Sequence, residues 1–487
     1  MCGVVGLWNE ERQAGPDNFV ACKTMQHRGK ESGGIATCDE NSDYIYRRVG
    51  MGEMPQVFMG RSASMLKGRV GIGHVRYSST GSSSIQNAQP VFGVFRGKEF
   101  AFGHNGSLVN TLSLKRSCEF SGVFLDQDCS DTRIVAAMLA RSHAQTFKDA
   151  ILEILPKLQG AFCFVFLYDK KIYAARDPYG FHPLQLGRRG NDYIVVSESC
   201  AIDHLSIEVK NEQKIASFVR EIDPGELLVI GENGLESTEW AKARQLSIDI
   251  FEFIYFLRPD SKVYGVVIEL ARRKMGYYLA EEHPPPSKVQ KFLVVPVNRS
   301  GSAAAWGYFL HAKELGYDVE YEPEGLFRPN DTGRVWVEPY EEIRLEYLGI
   351  KFNIIEELVS GRNLIAVDDS IVRGPTAKRV ISLLRRAKPQ SVHFRVTAPQ
   401  YYWPDIYGTD TYKDYLRNNL IARRLNGDVS KIAEEIGADS LGYLSLKKTK
   451  QAILDVKDET SPLTLHSFHD AVFTGFYRAG KGDFIIV

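Results

Sequence analysis

From the first residue to about residue 235, short apolar runs recur between glycine-containing turns: GVVGLW, RVGIGHVRYSS, KEFAFGHNG, AFCFVFLYD, KIYAARD, DYIVVSES and GELLVIG. Runs of this length, rich in β-branched and aromatic residues, predict strands. Two stretches shift to helical periodicity, SDTRIVAAMLARS and FKDAILEILPKLQ, and the first opens on a Ser130 and Asp131 capping signal. The implied architecture is α+β, with stacked sheets flanked by helices. Beyond about residue 250 strands alternate with helices instead: KFLVVPV then SGSAAAWGYFLHAKELG, NLIAVDD then TAKRVISLLRRAK, and SVHFRVTA after them. That alternation predicts a parallel α/β sheet. The charged, aperiodic STEWAKARQLSID separates the two patterns, giving domains at 2–235 and 250–487.

Composition narrows the function classes. A chain of 487 residues exceeds one ordinary core, which agrees with two domains. Hydrophobic residues at 44% and charged residues at 25% are globular values, and no run of about 18 apolar residues would span a bilayer. A cytoplasmic protein with no membrane partner is expected. Sixty Lys and Arg balance sixty Asp and Glu, so no basic field argues for nucleic acid, and a small-molecule partner is expected. All seven cysteines lie in the first 200 residues, odd in number and without a C-x-x-C pair, which argues against a disulfide framework or a zinc ribbon. Cys163 in AFCFVFLYD and Cys200 at the end of YIVVSESC read as small hydrophobes of strands. Cys2 differs: MCGVVGLW lacks the basic start and the longer apolar run of a secretory signal, so chemistry is the better account of its position.

The second half carries the sharper local motif, NLIAVDDSIVRGPTAKRVISLL. A buried strand ends in the carboxylates of Asp368 and Asp369, passes through a loop from Ser370 to Thr376, and feeds a helix expected to begin near Ala377. In parallel sheets ligands gather beyond the carboxyl ends of strands, and a helix N-terminus offers free N–H groups to a phosphate. The paired acids suit ribose hydroxyls or Mg2+, which favours hard oxygen ligands. Ordinary capping would account for an isolated acid pair; strand, acids, glycine loop and helix in one register favour a phosphosugar or nucleotide.

VDDSIVRGPT closely resembles the phosphoribosyl pyrophosphate binding signature of type I phosphoribosyltransferases, particularly that of the glutamine phosphoribosylpyrophosphate amidotransferase family. MCGVVGLW, QHRGKESGGI, GHVRYSSTGSS, HNGSLVN, SDTRIV, RDPYGFHPL, SES and FEFIYFLRPDS follow in that family's order, so the resemblance covers almost the whole chain. It implies a class II glutaminase of the four-layer N-terminal-nucleophile fold, followed by a type I phosphoribosyltransferase. In such glutaminases the methionine is removed and Cys2 supplies both the thiol nucleophile and a free α-amine. That amine, with a reference pKa of about 7.7–8.0, serves as general base near neutral pH. By matching motif, Asn105 and Gly106 resemble the oxyanion hole, Arg76 grips the glutamine carboxylate, Asp131 holds its ammonium, and Gly29, Tyr77 and Ser79 line the pocket. From the residues alone, Asp131 would be a helix cap and Asn105 a turn residue.

In the second half the resemblance implies that Ser300, Asp368 and Asp369 meet Mg2+ and the ribose or pyrophosphate of the sugar. It makes Arg373, Gly374 and Thr376 the 5'-phosphate cradle, with Arg328 and Arg334 on a loop that closes over the substrate. Ammonia from Cys2 would travel internally to C1 of phosphoribosyl pyrophosphate and displace pyrophosphate, giving 5-phosphoribosylamine, the first committed step of purine synthesis. Glutamine, purine nucleotide inhibitors and a homodimer or homotetramer are implied as partners.

Some positions depart from the family. Pro375 replaces a threonine of the phosphate loop, removing a hydroxyl and an N–H. Residues 325–339, GLFRPNDTGRVWVEP, place Pro329 and Asp331 where the closing loop has flexible or aromatic residues. Asn298 and Arg299 precede Ser300 where an aspartate is usual, and Arg299 either grips pyrophosphate or marks a repurposed site. Four cysteines hold an iron-sulfur cluster in many relatives; their matches here are Asp249, Asp405, His469 and Val472, so no cluster is expected. These departures leave two other readings open. One is a related glutaminase that delivers ammonia to a different phosphosugar or nucleotide, and the other is a non-catalytic sensor of a nucleotide or sugar phosphate.

Overall fold

The structure is a computed structural model that describes residues 1–39, 41, 43–77, 82–120, 122–209, 212–327, 352–409 and 411–487. It divides into two compact units. The first comprises Met1–Ile248 with Ile406–Asp410 and Tyr477–Val487; the second comprises Asp249–Asp405 with Thr411–Phe476. The division near residue 250 falls where the pattern of strands changes. The two short pieces, 406–410 and 477–487, cluster with the first unit, although the 250–487 span places them in the second.

The first unit is built on two antiparallel sheets. One has seven strands, in the order Ala216–Glu221, Gln185–Arg189, Asp192–Val196, Gly3–Trp8, Val70–Arg76, Ser32–Cys38 and Ile45–Met51. The other has six: Gly234–Glu239, Glu226–Gly231, Lys171–Arg176, Gly160–Tyr168, Lys98–Leu108 and Val91–Phe95. Strand alternation assigns every side chain to a layer. In Gly160–Tyr168, Cys163, Val165 and Leu167 join Val4, Ile72 and Val195 in a core between the sheets. Phe162, Phe164, Phe166 and Tyr168 point the other way, into a core with Ile134, Leu139, Phe147 and Ile151 of the helices Asp131–Arg141 and Phe147–Ile154. Val5, Leu7 and Val75 pack outward from the first sheet against Ala14, Ala21 and Cys22 of the helix Ala14–Thr24. The result is four layers: helices, sheet, sheet, helices. Burial of each of those phenylalanines contributes about 1.5–3 kcal/mol, and burial on both faces is why AFCFVFLY reads as an unbroken apolar run. The sheets approach closely at Gly6, where a Cβ would lie 2.8 Å from Val165 Cγ1.

The second unit is centred on a five-stranded parallel sheet, in the order Val319–Tyr321, Phe292–Pro296, Asn363–Asp368, Ser391–Val396 and Ser440–Tyr443. The strand NLIAVD is central, and its Asp368 pairs in register with Val396. The helix after it runs Pro375–Arg386, two residues earlier than Ala377. Proline at N1 lacks only an N–H that has no intrahelical partner, and its fixed φ suits a first turn. Cys200 also differs from expectation: it lies in the helix Ser199–Asp203, not in the strand, which ends at Val196. Among the described residues no helix is long and apolar enough to cross a membrane.

Candidate functional site

The strand Gly3–Trp8 pairs with Val70–Arg76, Gly3 opposite Val75, and this register brings Cys2 beside Tyr77. Tyr77 N donates to the Cys2 sulfur at 3.4 Å, and the thiol lies equally far from Tyr77 O. Cys2 is buried, and burial raises its thiol pKa above the ordinary value; the N-terminal ammonium, the Tyr77 N–H and Arg76 oppose that rise. The main chain is held as well. Arg28 Nε donates to the Cys2 carbonyl at 2.7 Å, Arg28 Nη1 meets Glu198 Oε1 at 2.6 Å, and His27 Nε2 lies 2.8 Å from the same oxygen. Both Arg28 and Glu198 are wholly buried, so a charged pair fixes the backbone of the residue that carries the thiol. Sequence reasoning assigned neither residue a role; the only signal was their presence in the fragments HRG and SES.

Asn105 and Gly106 lie near the end of the strand Lys98–Leu108, opposite Cys163 and Phe162. Asn105 is therefore a strand residue and not part of a turn. It is fully buried, and neither its Nδ2 nor its Oδ1 has a hydrogen-bond partner among the described residues. Gly106 has φ +137°, and a Cβ there would lie 2.2 Å from the Ala161 carbonyl oxygen, so only glycine fits. The two sheets touch at this level. His74 Nε2 hydrogen-bonds the His104 carbonyl at 2.9 Å, and a Cβ on Gly103 would be 3.8 Å from Val4 Cγ1. Burial pulls the His74 pKa down to about 3, so that imidazole is neutral.

Arg76 is buried and ion-pairs with Glu31. Gly29 packs directly on its backbone: a Cβ at Gly29 would stand 2.3 Å from the Arg76 carbonyl carbon. Asp131 is the first residue of its helix, not the cap, since Ser130 Oγ accepts from Arg133 N at 3.4 Å. Its Oδ2 accepts from Leu108 N at 3.1 Å and its Oδ1 from Thr132 N at 2.8 Å, which ties Asp131 to the strand bearing Asn105. Tyr77 donates its hydroxyl to Thr409 O at 3.4 Å. Ser79 lies outside the described residues.

In the second unit Asp368 and Asp369 stand at the carboxyl end of the central strand, each 5% exposed. Ser300 Oγ donates to Asp368 Oδ1 at 3.4 Å, Asp369 N donates to the same oxygen at 2.9 Å, and Ser370 donates to Asp369. Arg373 pairs with Asp414. Gly374, at φ +101°, is the helix N-cap, leaving Pro375 exposed at N1 and Thr376 already inside the helix. Arg328 and Arg334, with Pro329 and Asp331, lie outside the described residues. Among the described residues no group of three or more His, Cys, Asp and Glu could hold a metal ion. Two adjacent carboxylates and a hydroxyl nevertheless fit Mg2+, which keeps several waters and substrate oxygens and needs only one or two protein carboxylates. Asp249 is buried and hydrogen-bonded, accepting from Phe251 N at 3.0 Å; burial, then Asp405 and Glu252, push its carboxyl well above the usual range.

A family model described as a glutamine amidotransferase domain matches residues 74–204. The amidophosphoribosyltransferase of Mycobacterium tuberculosis is 37% identical over 455 residues, covering 92% of this chain and 82% of the relative. That of Bacillus subtilis is 35% identical over 449 residues, covering 92% and 88%. Among solved structures, the glutamine phosphoribosylpyrophosphate amidotransferase of B. subtilis complexed with ADP and GMP superposes with a TM-score of 0.82 at 32% identity, covering 98% of this chain and 97% of that one.

Proposed function

The chain belongs to the amidophosphoribosyltransferase family, and from that premise we propose that it makes 5-phosphoribosylamine from glutamine and phosphoribosyl pyrophosphate in purine biosynthesis. Removal of Met1 frees the α-amine of Cys2, which takes the thiol proton as the sulfur attacks the glutamine amide carbon. Negative charge then develops on the amide oxygen, where Asn105 Nδ2 and the Gly106 N–H donate to it. Collapse breaks the C–N bond, the amine proton goes to the leaving nitrogen, and ammonia departs. Water hydrolyses the resulting thioester to release glutamate. Arg76 and Asp131 bind the two charged ends of glutamine, while Arg28 holds the Cys2 main chain steady throughout.

Ammonia then bonds to C1 of the sugar as the C1–O bond to pyrophosphate breaks, and a proton is lost from nitrogen. Asp368 and Asp369 orient the ribose hydroxyls, and Arg373, Gly374 and Thr376 receive the 5'-phosphate. Asp368 and Asp369, with Ser300 adjacent, would hold Mg2+, which would neutralise charge on the pyrophosphate. A cytoplasmic homo-oligomer inhibited by purine nucleotides completes the proposal.

The observation that carries the reading is Asn105: a buried carboxamide without a partner among the described residues costs stability unless a ligand uses it. The test is phosphoribosylamine formation, trapped by a coupled ligase, from processed protein with glutamine or ammonia as donor. Product from both donors, with only the glutamine route lost in Cys2→Ala, supports the proposal. Glutamate release without phosphoribosylamine overturns it in favour of another ammonia acceptor.

A further inference from the structure

The loop that follows the acid pair is clasped by a segment of the second unit some forty residues further along, which carries the short helices Tyr412–Leu416 and Ile421–Arg424. Ile421 N donates to Val372 O at 3.0 Å, and a Cβ on Gly374 would lie 2.8 Å from Ile421 Cδ1, so this isoleucine packs directly on the glycine. Arg373, between those two contacts, donates Nη2 to Asp414. The guanidinium is partly buried and the carboxylate buried.

Asp414 is itself held in place. Before its helix, Thr411 Oγ1 accepts from Asp405 N at 2.8 Å and hydrogen-bonds the Tyr401 hydroxyl at 3.0 Å. After it, Asn419 N donates to Asp414 O at 2.8 Å, and the Arg423 guanidinium lies over the Tyr415 ring, 4.4 Å from its centroid. The carboxylate thus stands on an anchored turn. Its partner stands one residue before Gly374, the N-cap of the helix Pro375–Arg386, where the N–H groups of Thr376 and Ala377 have no intrahelical acceptor. Pro375 offers no N–H there. More of the hold on a phosphate at this helix start therefore falls to Arg373.

We propose that Asp414 is the positioning residue of the 5'-phosphate cradle: by fixing one nitrogen of the planar Arg373 guanidinium, it sets the direction of the remaining N–H donors toward the phosphate. The assignment rests on reading the second unit as a phosphosugar site. By charge alone the Asp414 carboxylate opposes a phosphate, so its benefit lies in orientation. An arginine ordered before binding spares the substrate the cost of ordering it.

Ribose 5-phosphate, titrated into the full-length protein and followed by calorimetry, tests this directly. Asp414→Ala should weaken binding about 3- to 10-fold, the scale of ordering one long side chain at the moment of binding. Asp414→Asn keeps an acceptor without the charge and should bind within about twofold of wild type. Arg373→Ala should weaken binding about 10- to 100-fold, the scale of a lost hydrogen bond to a charged group. Adding Asp414→Ala to Arg373→Ala should then change nothing further, because Asp414 acts only through Arg373. With ammonia as donor, Asp414→Ala should raise the KM for phosphoribosyl pyrophosphate by the same factor and leave kcat unchanged, and thermal melts confirm that each variant is folded at the assay temperature. Binding unaltered in Asp414→Ala, or weakened equally with and without Arg373, overturns the proposal, as does wild-type protein that does not bind ribose 5-phosphate. Wild-type binding with the full pattern of variants, in a protein that makes no phosphoribosylamine, would uphold it while refuting the proposed reaction.

Discussion

Replacing Asn105 by alanine should change activity and stability in opposite directions. The side chain is fully buried, and both its polar atoms lack partners among the described residues. An unsatisfied buried polar group costs about 1–3 kcal/mol, which the substitution returns. Truncation leaves a small void, and at about 24 cal/mol per Å³ a void of roughly 40 Å³ costs about 1 kcal/mol. The net effect on folding lies between neutrality and about 2 kcal/mol of stabilisation. Loss of one oxyanion donor, by contrast, lowers kcat about 10²- to 10³-fold. The assay compares glutamate release at saturating glutamine, phosphoribosylamine formation from ammonia, and the thermal midpoint. Expected are a collapse of the first, persistence of the second, and a midpoint no lower than wild type. Glutamate release within tenfold of wild type would remove Asn105 from the oxyanion hole. A midpoint several degrees lower would mean that the carboxamide is a structural hydrogen-bonding group.

Three further predictions address other parts of the molecule. Arg28→Met removes the guanidinium partner of the buried Glu198 carboxylate, leaving it His27, and should cost about 3 kcal/mol of stability, with glutamate release lost because the Cys2 carbonyl loses its donor; Arg28→Met with Glu198→Gln should regain stability but not activity, read from thermal melts and glutamate assays. Asp249 has a folded pKa raised above its unfolded value, so the native state holds the extra proton, and its contribution is complete below the unfolded pKa and lost as pH rises through the folded pKa. Asp249→Asn should therefore raise the thermal midpoint at neutral pH, with the gain shrinking toward acid; a gain independent of pH would contradict this. Pro375→Thr adds a hydroxyl and an N–H beside the expected 5'-phosphate and should lower the KM for phosphoribosyl pyrophosphate by up to about tenfold with ammonia as donor, at a helix cost of a few tenths of a kcal/mol.

Local pattern reports an element well where the element is buried on both faces. AFCFVFLYD was legible because the cores on either side of its strand demand apolar residues at each position, and NLIAVDD because Leu364 to Val367 are buried in succession. The strands Ser32–Cys38 and Gln185–Arg189 were not, since SGGIATC and QLGRR owe their extended form to ladders with partners on both sides. The sequence pattern puts Pro375 in the loop because proline breaks helix interiors, yet N1 is the one helical position that favours it. Pieces 406–410 and 477–487 join the first unit through contacts such as His182 Nε2 to Tyr407 O at 3.1 Å and Leu112 N to Asp483 Oδ2 at 2.8 Å. Contacts separated by hundreds of residues leave no local trace.

The candidate site divides in the same way. Cys2 was conspicuous because its position is unusual, whereas Arg28 and Glu198, which hold it, are separated by 170 residues and look like ordinary surface charges until the fold buries them together. Asn105 carries the most physical information. The fragment HNG suggests a turn, yet the chain keeps Asn105 in a strand opposite Cys163, where an apolar residue would be cheaper. Local preference and burial both oppose an asparagine there, and no partner among the described residues repays it. Where every level of structure argues against a residue, the compensation is sought in a ligand, and a glutamine amide oxygen turning negative beside Gly106 has the chemistry to provide it.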